Sequence, residues 1–393
     1  MWGWPLDIVA VKKAIEGLVE QRRDELTAIA RELYLFPETG LREYRASALL
    51  TDLLGKEGFA VERSIAGLET AFRAVYGTEG PGIAILAEMD ALPEMGHACG
   101  HNIIAAAAVG AAVALRHSLP QGAARVIVLG APAEELGIGK VELIRNGYFE
   151  GVDFAMMVHP SSKRQVIKKY LGLAKLGFTF HGRAAHAAAY PEEGINALDG
   201  VIQTFNGINA LRQHLRQDVR VHGIITEGGI APNIIPERAA CHFYVRADDL
   251  AEVESVKGRV IACAEGAAKA AGCRLQVDEN ERVLAPLKIN YSFYRLYSAQ
   301  LAYLGLEESA APADKNRGSS DIGNVSQVVP TIHPHVPIGQ GIHIHCEDFA
   351  RATVSEQGRM AVLEGAVALA LTAADLAASP GEREKITNEF NNS

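Results

Sequence analysis

The chain has 393 residues, of which 48% are hydrophobic and 22% charged, a composition typical of globular proteins rather than disordered ones. Its 38 basic and 47 acidic residues give a net charge of −9. This charge, with no basic patch, argues against nucleic acid as a partner. The length is too great for one ordinary core, so we expect two compact units.

Targeting signals are not evident in the sequence. The N-terminus lacks the basic and apolar regions of a secretory signal, and the uncharged apolar run at 103–115 is too short to cross a bilayer. The five cysteines are odd in number and scattered, unlike a secreted disulfide framework. We therefore expect a cytoplasmic protein without a membrane partner.

The first region alternates strand and helix patterns. Apolar positions at helical spacing predict a helix over residues 6–34, and further helices are expected at 101–117 and 138–147. Apolar or β-branched runs predict strands, which are 70–76, 82–87, 124–130 and 153–159. This alternation predicts an α/β fold with a mostly parallel sheet flanked by helices. Ligands in such sheets collect beyond the carboxyl ends of the strands.

The pattern changes near Gly172. Three predicted strands follow, at 175–181, 219–226 and 239–247. Two helices are predicted between and after them, at 195–213 and 249–271. They form an α+β unit, and the helix predicted at 291–304 then returns to the first pattern. We expect a catalytic domain of residues 1–173 and 286–393, with the α+β domain inserted at 174–285. Residues 388–393 are expected to be a frayed tail.

The sequence GHACGHN at 96–102 carries candidate metal ligands. Cys99 and His101 lie two residues apart, so their side chains can point to one side of an extended loop. A thiolate and an imidazole suit zinc, and also manganese or cobalt in a mixed site. Asp90, shortly before, is placed to orient a ligand. Taken alone, the segment is equally compatible with a buried free thiol and a turn histidine.

Three further segments carry candidate chemistry. Glu134 and Glu135 follow an apolar strand, where two carboxylates are costly to bury unless a cation neutralises them. His159 closes another apolar strand, a position where a core or turn histidine is more common than a ligand. A histidine-rich stretch follows at 333–345. The absence of paired CxxC motifs argues against a closed structural zinc site, so the four segments together favour a catalytic metal site.

Together these motifs resemble the dinuclear metallopeptidase and aminoacylase superfamily. This superfamily includes carboxypeptidase G, aminoacylases, and hydrolases of auxin conjugates and of aminobenzoyl-glutamate. GHACGHN followed by an Ala-rich helix is most similar to β-alanyl-lysine dipeptidases, and the resemblance covers essentially the whole chain. Asn102 departs from the Asp usual in the auxin-conjugate branch, which argues against the substrates of that branch.

The resemblance implies a metal-dependent amidohydrolase that acts on a small N-acyl amino acid or a dipeptide-like substrate. It implies two divalent ions, zinc or manganese with cobalt as a third candidate. The implied ligands are Cys99, His101, Glu135, His159 and His345. Glu134 matches the general base. His345 is chosen over His343 because the family histidine lies four residues before a Phe.

The inserted domain resembles the family's lid and dimerisation domain. His186 matches a histidine that stabilises the oxyanion and, in dimeric relatives, enters the active site of the neighbouring subunit. Asn233 and Arg246 match residues that bind the substrate's carbonyl and carboxylate. The resemblance thus implies a homodimer formed through this domain. By residue type alone, the three are more typical of a solvated His, a turn Asn and a surface strand Arg than of binding residues.

The sequence leaves two alternatives to a metallohydrolase open. One is a non-catalytic, metal-binding relative that binds such ligands without cleaving them. Glu134 argues against it, because a protein that only binds has little use for a carboxylate beside a ligand. The other is a hydrolase that uses Cys99 as nucleophile, and it predicts that chelators leave activity intact.

Overall fold

A computed structural model describes residues 7–279, 282–309 and 318–393. The chain divides into two compact units. The first contains Met1–Lys169, Lys288–Arg317 and Asn324–Ser393, and the second contains Tyr170–Leu287 and Gly318–Gly323. Residues 318–323, which were expected in the catalytic domain, thus belong to the second unit.

Twelve α-helices occur in the described part of the chain. They are α1 (Ile8–Gln21), α2 (Arg23–Leu35), α3 (Tyr44–Lys56), α4 (His101–Ser118), α5 (Gly139–Arg145), α6 (Ala197–Leu211), α7 (Leu250–Ala271), α8 (Tyr291–Tyr303), α9 (Ile322–Val328), α10 (Glu347–Ala352), α11 (Glu356–Ala378) and α12 (Pro380–Asn392).

Twelve β-strands occur in the same residues. They are β1 (Ala60–Arg63), β2 (Phe72–Tyr76), β3 (Gly82–Glu88), β4 (Arg125–Ala131), β5 (Phe154–Met156), β6 (His159–Ser161), β7 (Gly172–His181), β8 (Arg220–Glu227), β9 (Arg238–Ala247), β10 (Arg274–Glu279), β11 (Thr331–Ile332) and β12 (His335–Pro337).

The first unit is built on a six-stranded sheet with the order β1-β2-β4-β3-β5-β11. β4, β3, β5 and β11 run parallel, while β1 and β2 pair antiparallel at one edge. A short parallel pair, β6 with β12, lies outside this sheet. The mostly parallel α/β fold expected from the sequence is confirmed.

Two apolar helices fill the core of this unit. In α4, residues 101–115 are all buried, as expected for a helix that is apolar on every side. α11 packs against α4 and is long and apolar enough to cross a membrane, with a mean hydropathy of 1.7. Because 72% of that apolar stretch is buried inside the protein, α11 fits a core helix of a globular domain.

The second unit is an antiparallel sheet with two helices. Its strand order is β10-β7-β9-β8, and α6 and α7 pack against β7 and β9. Apolar residues of the sheet and both helices form one buried cluster, which includes Phe178, Phe243 and Val260. This is the α+β unit that the change of pattern near Gly172 predicts.

Several element predictions need correction. The helix predicted over 6–34 is two helices that meet at Arg22, and its first residue lies outside the described residues. The strand predicted over 153–159 is divided between β5 and β6. The tail predicted at 388–393 is wrong, because α12 continues to Asn392 and Glu389 accepts hydrogen bonds from the start of α8.

Candidate metal centre

The carboxyl ends of the parallel strands bring the candidate residues of the first unit together. Glu88 is the last residue of β3, and Asp90 follows it. Glu134 and Glu135 lie in a 3-10 turn three residues after β4. His159 opens β6, directly beyond β5. The topology of the sheet therefore places acidic and imidazole groups at one edge.

Gly100 allows the loop with Cys99 to approach His159. Its φ of +82° is in the left-handed region, which glycine adopts without strain. A Cβ at this position would lie 2.3 Å from Cγ of Pro160. Because glycine has no Cβ, the loop packs directly against Pro160, the residue after His159, and α4 begins at His101.

Five candidate ligands form one cluster. Cys99 Sγ lies 3.5 Å from Nε2 of His159, and Nε2 of His101 lies 4.0 Å from Oε1 of Glu135. His345 Nε2 is 3.6 Å from the same Glu135 oxygen. Sets of three among these side chains place their ligand atoms within 4.8 Å of one another.

His345 reaches this cluster through an unusual backbone conformation. Its φ is +64°, which is uncommon for a residue other than glycine, and its N–H donates to the carbonyl of Ala98 at 2.8 Å. Such strain is often found at functional sites. Its side chain is 46% exposed, so it lies at the open side of the cluster.

The turn that carries the two glutamates is held from both sides by buried carboxylates. Ala133, just before it, has a φ of +57°, and its N–H donates to Oε1 of Glu43 at 2.8 Å. The N–H of Glu135 donates to Oδ2 of Asp90 at 3.0 Å. Thr70 donates to the second oxygen of Glu43 at 2.8 Å. These contacts fix the position of the backbone from which the side chains of Glu134 and Glu135 extend.

Asp90 also selects the nitrogen that His101 turns to the cluster. Its Oδ1 lies 2.8 Å from Nδ1 of His101, a contact that leaves Nε2 pointing towards Glu134, 3.8 Å away. Carboxylate partners of this kind orient ligating histidines in metal sites. Asp90, which the sequence suggests as a residue that orients a ligand, therefore contacts His101 directly.

The electrostatics of the cluster favour a cation. Burial by itself lowers the pKa of His101, but the neighbouring carboxylate of Asp90 raises it well above its ordinary value. Burial lowers the pKa of His159 to about 3, so its imidazole is neutral and can ligate. Burial also raises the pKa of the Cys99 thiol, and a bound cation would stabilise the thiolate instead.

The residues present fit divalent metal ions. Among the described residues, Nε2 of His101 and Oε1 of Glu135 are buried and make no hydrogen bond, a costly state that a cation would relieve. Sulfur and nitrogen ligands of a tetrahedral zinc lie about 3.5 Å from each other, and Cys99 and His159 show this separation. Thiolate, imidazole and carboxylate together suit zinc and similar ions.

Three buried residues that border the cluster were not predicted from the sequence. Glu88 lies 3.4 Å from Nε2 of His101, and Lys140 lies 2.6 Å from Oε1 of Glu88. Glu43 holds Ala133, as described above. The one available signal was a charged residue within or beside an apolar run, as in the sequence ILAEMD at 85–90.

In the second unit, the structure places His186 and Asn233 on paired loops. The N–H of Ala187 donates to the carbonyl of Asn233 at 3.0 Å, and His186 forms a β-bridge with Ile234. The Nδ1 atom of His186 accepts from the N–H of Ala189 at 3.1 Å. The neutral ring therefore carries its proton on Nε2, where it can donate to a ligand. Both side chains are exposed.

Arg246, the third predicted residue of this unit, lies on β9. Its guanidinium donates to Oγ of Ser319 at 2.8 Å, and burial lowers its pKa. It makes no ion pair with the residues that the structure describes. A half-buried guanidinium with spare donors is suited to a carboxylate, because its planar donors match the two oxygens.

Known proteins similar to this chain are peptidases and amidohydrolases. Residues 171–271 match the peptidase dimerisation domain of the M20 family. A Xaa-Arg dipeptidase of Mus musculus is 36% identical over 98% of this chain and 93% of its own length. One of the subunits of p-aminobenzoyl-glutamate hydrolase from Escherichia coli (strain K12) is 35% identical over 66% of this chain and 58% of its own length.

The chain belongs to the M20 family of dinuclear metallopeptidases. The similarity to the Xaa-Arg dipeptidase over nearly the full length decides this, and the protein is a metal-dependent amidohydrolase of the aminoacylase and dipeptidase type. A dinuclear metal-binding peptidase of this family from Bacillus subtilis shares the fold, with a TM-score of 0.71 and 21% identity over 91% of this chain and 99% of that one. The family resemblance seen in the motifs is confirmed, and the non-catalytic alternative loses its basis.

Proposed function

We propose that this M20 enzyme hydrolyses an amide bond in a small N-acyl amino acid or dipeptide-like substrate, with Glu134 as general base. The proposed ligands of two divalent ions are Cys99, His101, Glu135, His159 and His345. The proposal is supported by overlapping sets of three of these side chains, one of which includes Glu134, whose ligand atoms lie within 4.8 Å of one another. Zinc and manganese are the leading candidates, and cobalt is the third.

The protein's own groups divide the work of hydrolysis. Bound ions of this kind polarise the amide carbonyl and make an attacking water more acidic. Glu134 accepts a proton from that water while the water oxygen bonds to the carbonyl carbon. Glu134 then transfers the proton to the amine nitrogen as the C–N bond breaks. Glu134 is partly open to solvent, with its side chain 11% exposed, so substrate and water can reach it.

The second unit is proposed to supply substrate contacts and a second subunit. Arg246 would bind the substrate's carboxylate and Asn233 its carbonyl, while Nε2 of His186 would donate to the oxyanion. In a homodimer formed through this unit, His186 would act in the active site of the partner subunit. The match to the peptidase dimerisation domain supports this assembly. Five free thiols support the expectation of a reducing, cytoplasmic environment.

A nucleophilic Cys99 has little physical support. The nucleophile would be the thiolate, yet Cys99 is 7% exposed and burial raises its thiol pKa. Without a cation, the thiol would stay protonated at neutral pH. Burial is compatible with Cys99 as a metal ligand, because a bound cation would neutralise the charge of the thiolate.

The test is metal removal and replacement on the full-length protein. Chelated enzyme, shown by elemental analysis to be metal-free, is assayed alone and after addition of zinc, manganese or cobalt. Substrates should include N-acyl amino acids, β-alanyl dipeptides and dipeptides with C-terminal arginine, since relatives are named Xaa-Arg dipeptidases. We expect no hydrolysis without metal and recovery with at least one ion. Full activity in the metal-free enzyme would overturn the proposal and favour Cys99 as nucleophile.

A further inference from the structure

Glu88 and Lys140 form a fully buried pair beside the proposed metal ligands. The side chain of Glu88 is 1% exposed and that of Lys140 is 0% exposed, and Nζ of Lys140 lies 2.6 Å from Oε1 of Glu88. Removing both charges from water costs several kcal/mol for each ion, and apolar residues of similar size are often as stable in such positions. Fold stability therefore gives no sufficient reason for the pair.

The local fold fixes the position of both residues. Glu88 is the last residue of β3 and pairs with Ala131 of β4, so its side chain emerges at the sheet edge that carries the site. Lys140 lies in the first turn of α5. Gly139 precedes it, and a Cβ there would lie 1.9 Å from the carbonyl oxygen of Pro132. Only glycine permits this contact, which holds the start of α5 against the end of β4.

The second oxygen of Glu88 faces the same space as His101. Its Oε2 lies 3.4 Å from Nε2 of His101, and that nitrogen makes no hydrogen bond within the described residues. Charge-assisted N–H···O hydrogen bonds are about 2.7–2.9 Å long, so this contact is too long for one. Nitrogen and oxygen ligands of one tetrahedral zinc lie about 3.3–3.5 Å from each other.

We propose that Glu88 is a further carboxylate ligand of the metal centre, binding the ion that His101 binds. Lys140 is then a positioning residue that fixes one oxygen of Glu88, while the other oxygen faces Nε2 of His101. The inference rests on the proposed metal centre, but it does not depend on the identity of the general base or of the substrate. An oxygen of Glu88 also lies within 4.8 Å of one of Glu134, which places it beside the reacting groups.

Metal binding by purified full-length variants tests this inference without any substrate. The variants are Glu88→Gln, Lys140→Met and the double variant Glu88→Gln/Lys140→Met, with Glu142→Gln as control. Glu142 is a carboxylate on the same helix as Lys140 and pairs with Arg145 instead. Zinc affinity and stoichiometry are measured by calorimetry and elemental analysis, and cobalt binding by its visible absorption spectrum. Thermal unfolding of each metal-free variant checks its fold.

The double variant decides the question, because it removes Glu88 without leaving the Lys140 charge buried beside a neutral amide. We expect binding of one ion to weaken by more than the roughly 10–100-fold that loss of a residue outside the coordination shell costs, and a changed cobalt spectrum, with the control unchanged. Two ions bound with wild-type affinity and an unchanged spectrum would show that Glu88 only neutralises Lys140, and would overturn the inference. If the wild-type protein itself bound no metal, the proposed function would fail first, so the two failures are distinguishable.

Discussion

The metal centre of the first unit and the His186–Asn233 loops of the second carry their chemistry in opposite settings. Cys99 and His101 are buried, and the acidic groups around them favour a positive charge in the cluster. His186 and Asn233 are exposed and satisfied locally by backbone contacts. A buried cluster of this kind indicates that it binds a cation, because buried atoms in it make no hydrogen bond within the described residues. An exposed pair indicates a role only together with a substrate or a second subunit.

The largest expected effect separates the two adjacent glutamates of the metal centre. Glu134→Gln should lower kcat by about 10²–10⁴-fold while both ions stay bound, because an amide cannot accept the proton. Glu135→Gln should lose metal affinity as well, since its Oε1 faces both His101 and His345. Kinetics and elemental analysis of both variants provide the measurement. Equal metal loss in the two variants would contradict the assignment.

The second prediction concerns the exposed histidine. His186→Ala should lower kcat by about 10²–10³-fold, because a donor to the oxyanion is lost. Mixing it with Glu134→Gln under subunit exchange should restore about a quarter of wild-type activity, since half of the dimers are mixed and each mixed dimer has one intact site. Native mass spectrometry confirms the exchange.

The mixing experiment has two informative failures. A confirmed mixed dimer with no recovered activity would place the action of His186 within its own chain. Full activity of His186→Ala alone would show that His186 is a solvated loop residue. The metal centre would then be functional without a contribution from His186. The same mixture assayed before exchange is the control.

A smaller effect is expected at Glu43, which lies outside the cluster but holds the turn before Glu134. Glu43→Ala removes the acceptor for the N–H of Ala133, whose left-handed conformation costs about 1–2 kcal/mol. We expect about a 5–30-fold lower kcat, with unchanged metal content. Adding Ala133→Gly should recover part of the loss, because glycine adopts this conformation without that cost.

Rescue distinguishes positioning from general destabilisation at Glu43. Ala133→Gly alone serves as the control and should keep near wild-type kcat. If the double variant were no better than Glu43→Ala, and its melting temperature fell equally, Glu43 would be a structural residue only. A changed KM at constant kcat would likewise contradict a role in orienting Glu134.

The sequence by itself determined the fold class and the family. Strand and helix periodicity predicted the mostly parallel sheet, and the motifs around Cys99, Glu134 and His159 indicated the superfamily. These signals are local, since they depend on spacing within a few residues. For the same reason they missed α12, whose polar sequence becomes ordered by contacts such as that of Glu389 with the start of α8.

Only the tertiary structure decided which side chains meet. Cys99 lies 3.5 Å from His159, which is 60 positions away in the chain, and Glu43 reaches Ala133 across 90 positions. Sequence spacing contains no information on such distances, because they arise from the order of strands in the sheet and from close approaches at Gly100 and Gly139. The buried pair of Glu88 and Lys140 became visible for the same reason. Each residue alone is an ordinary charge, and only packing shows that they share one desolvated space with His101.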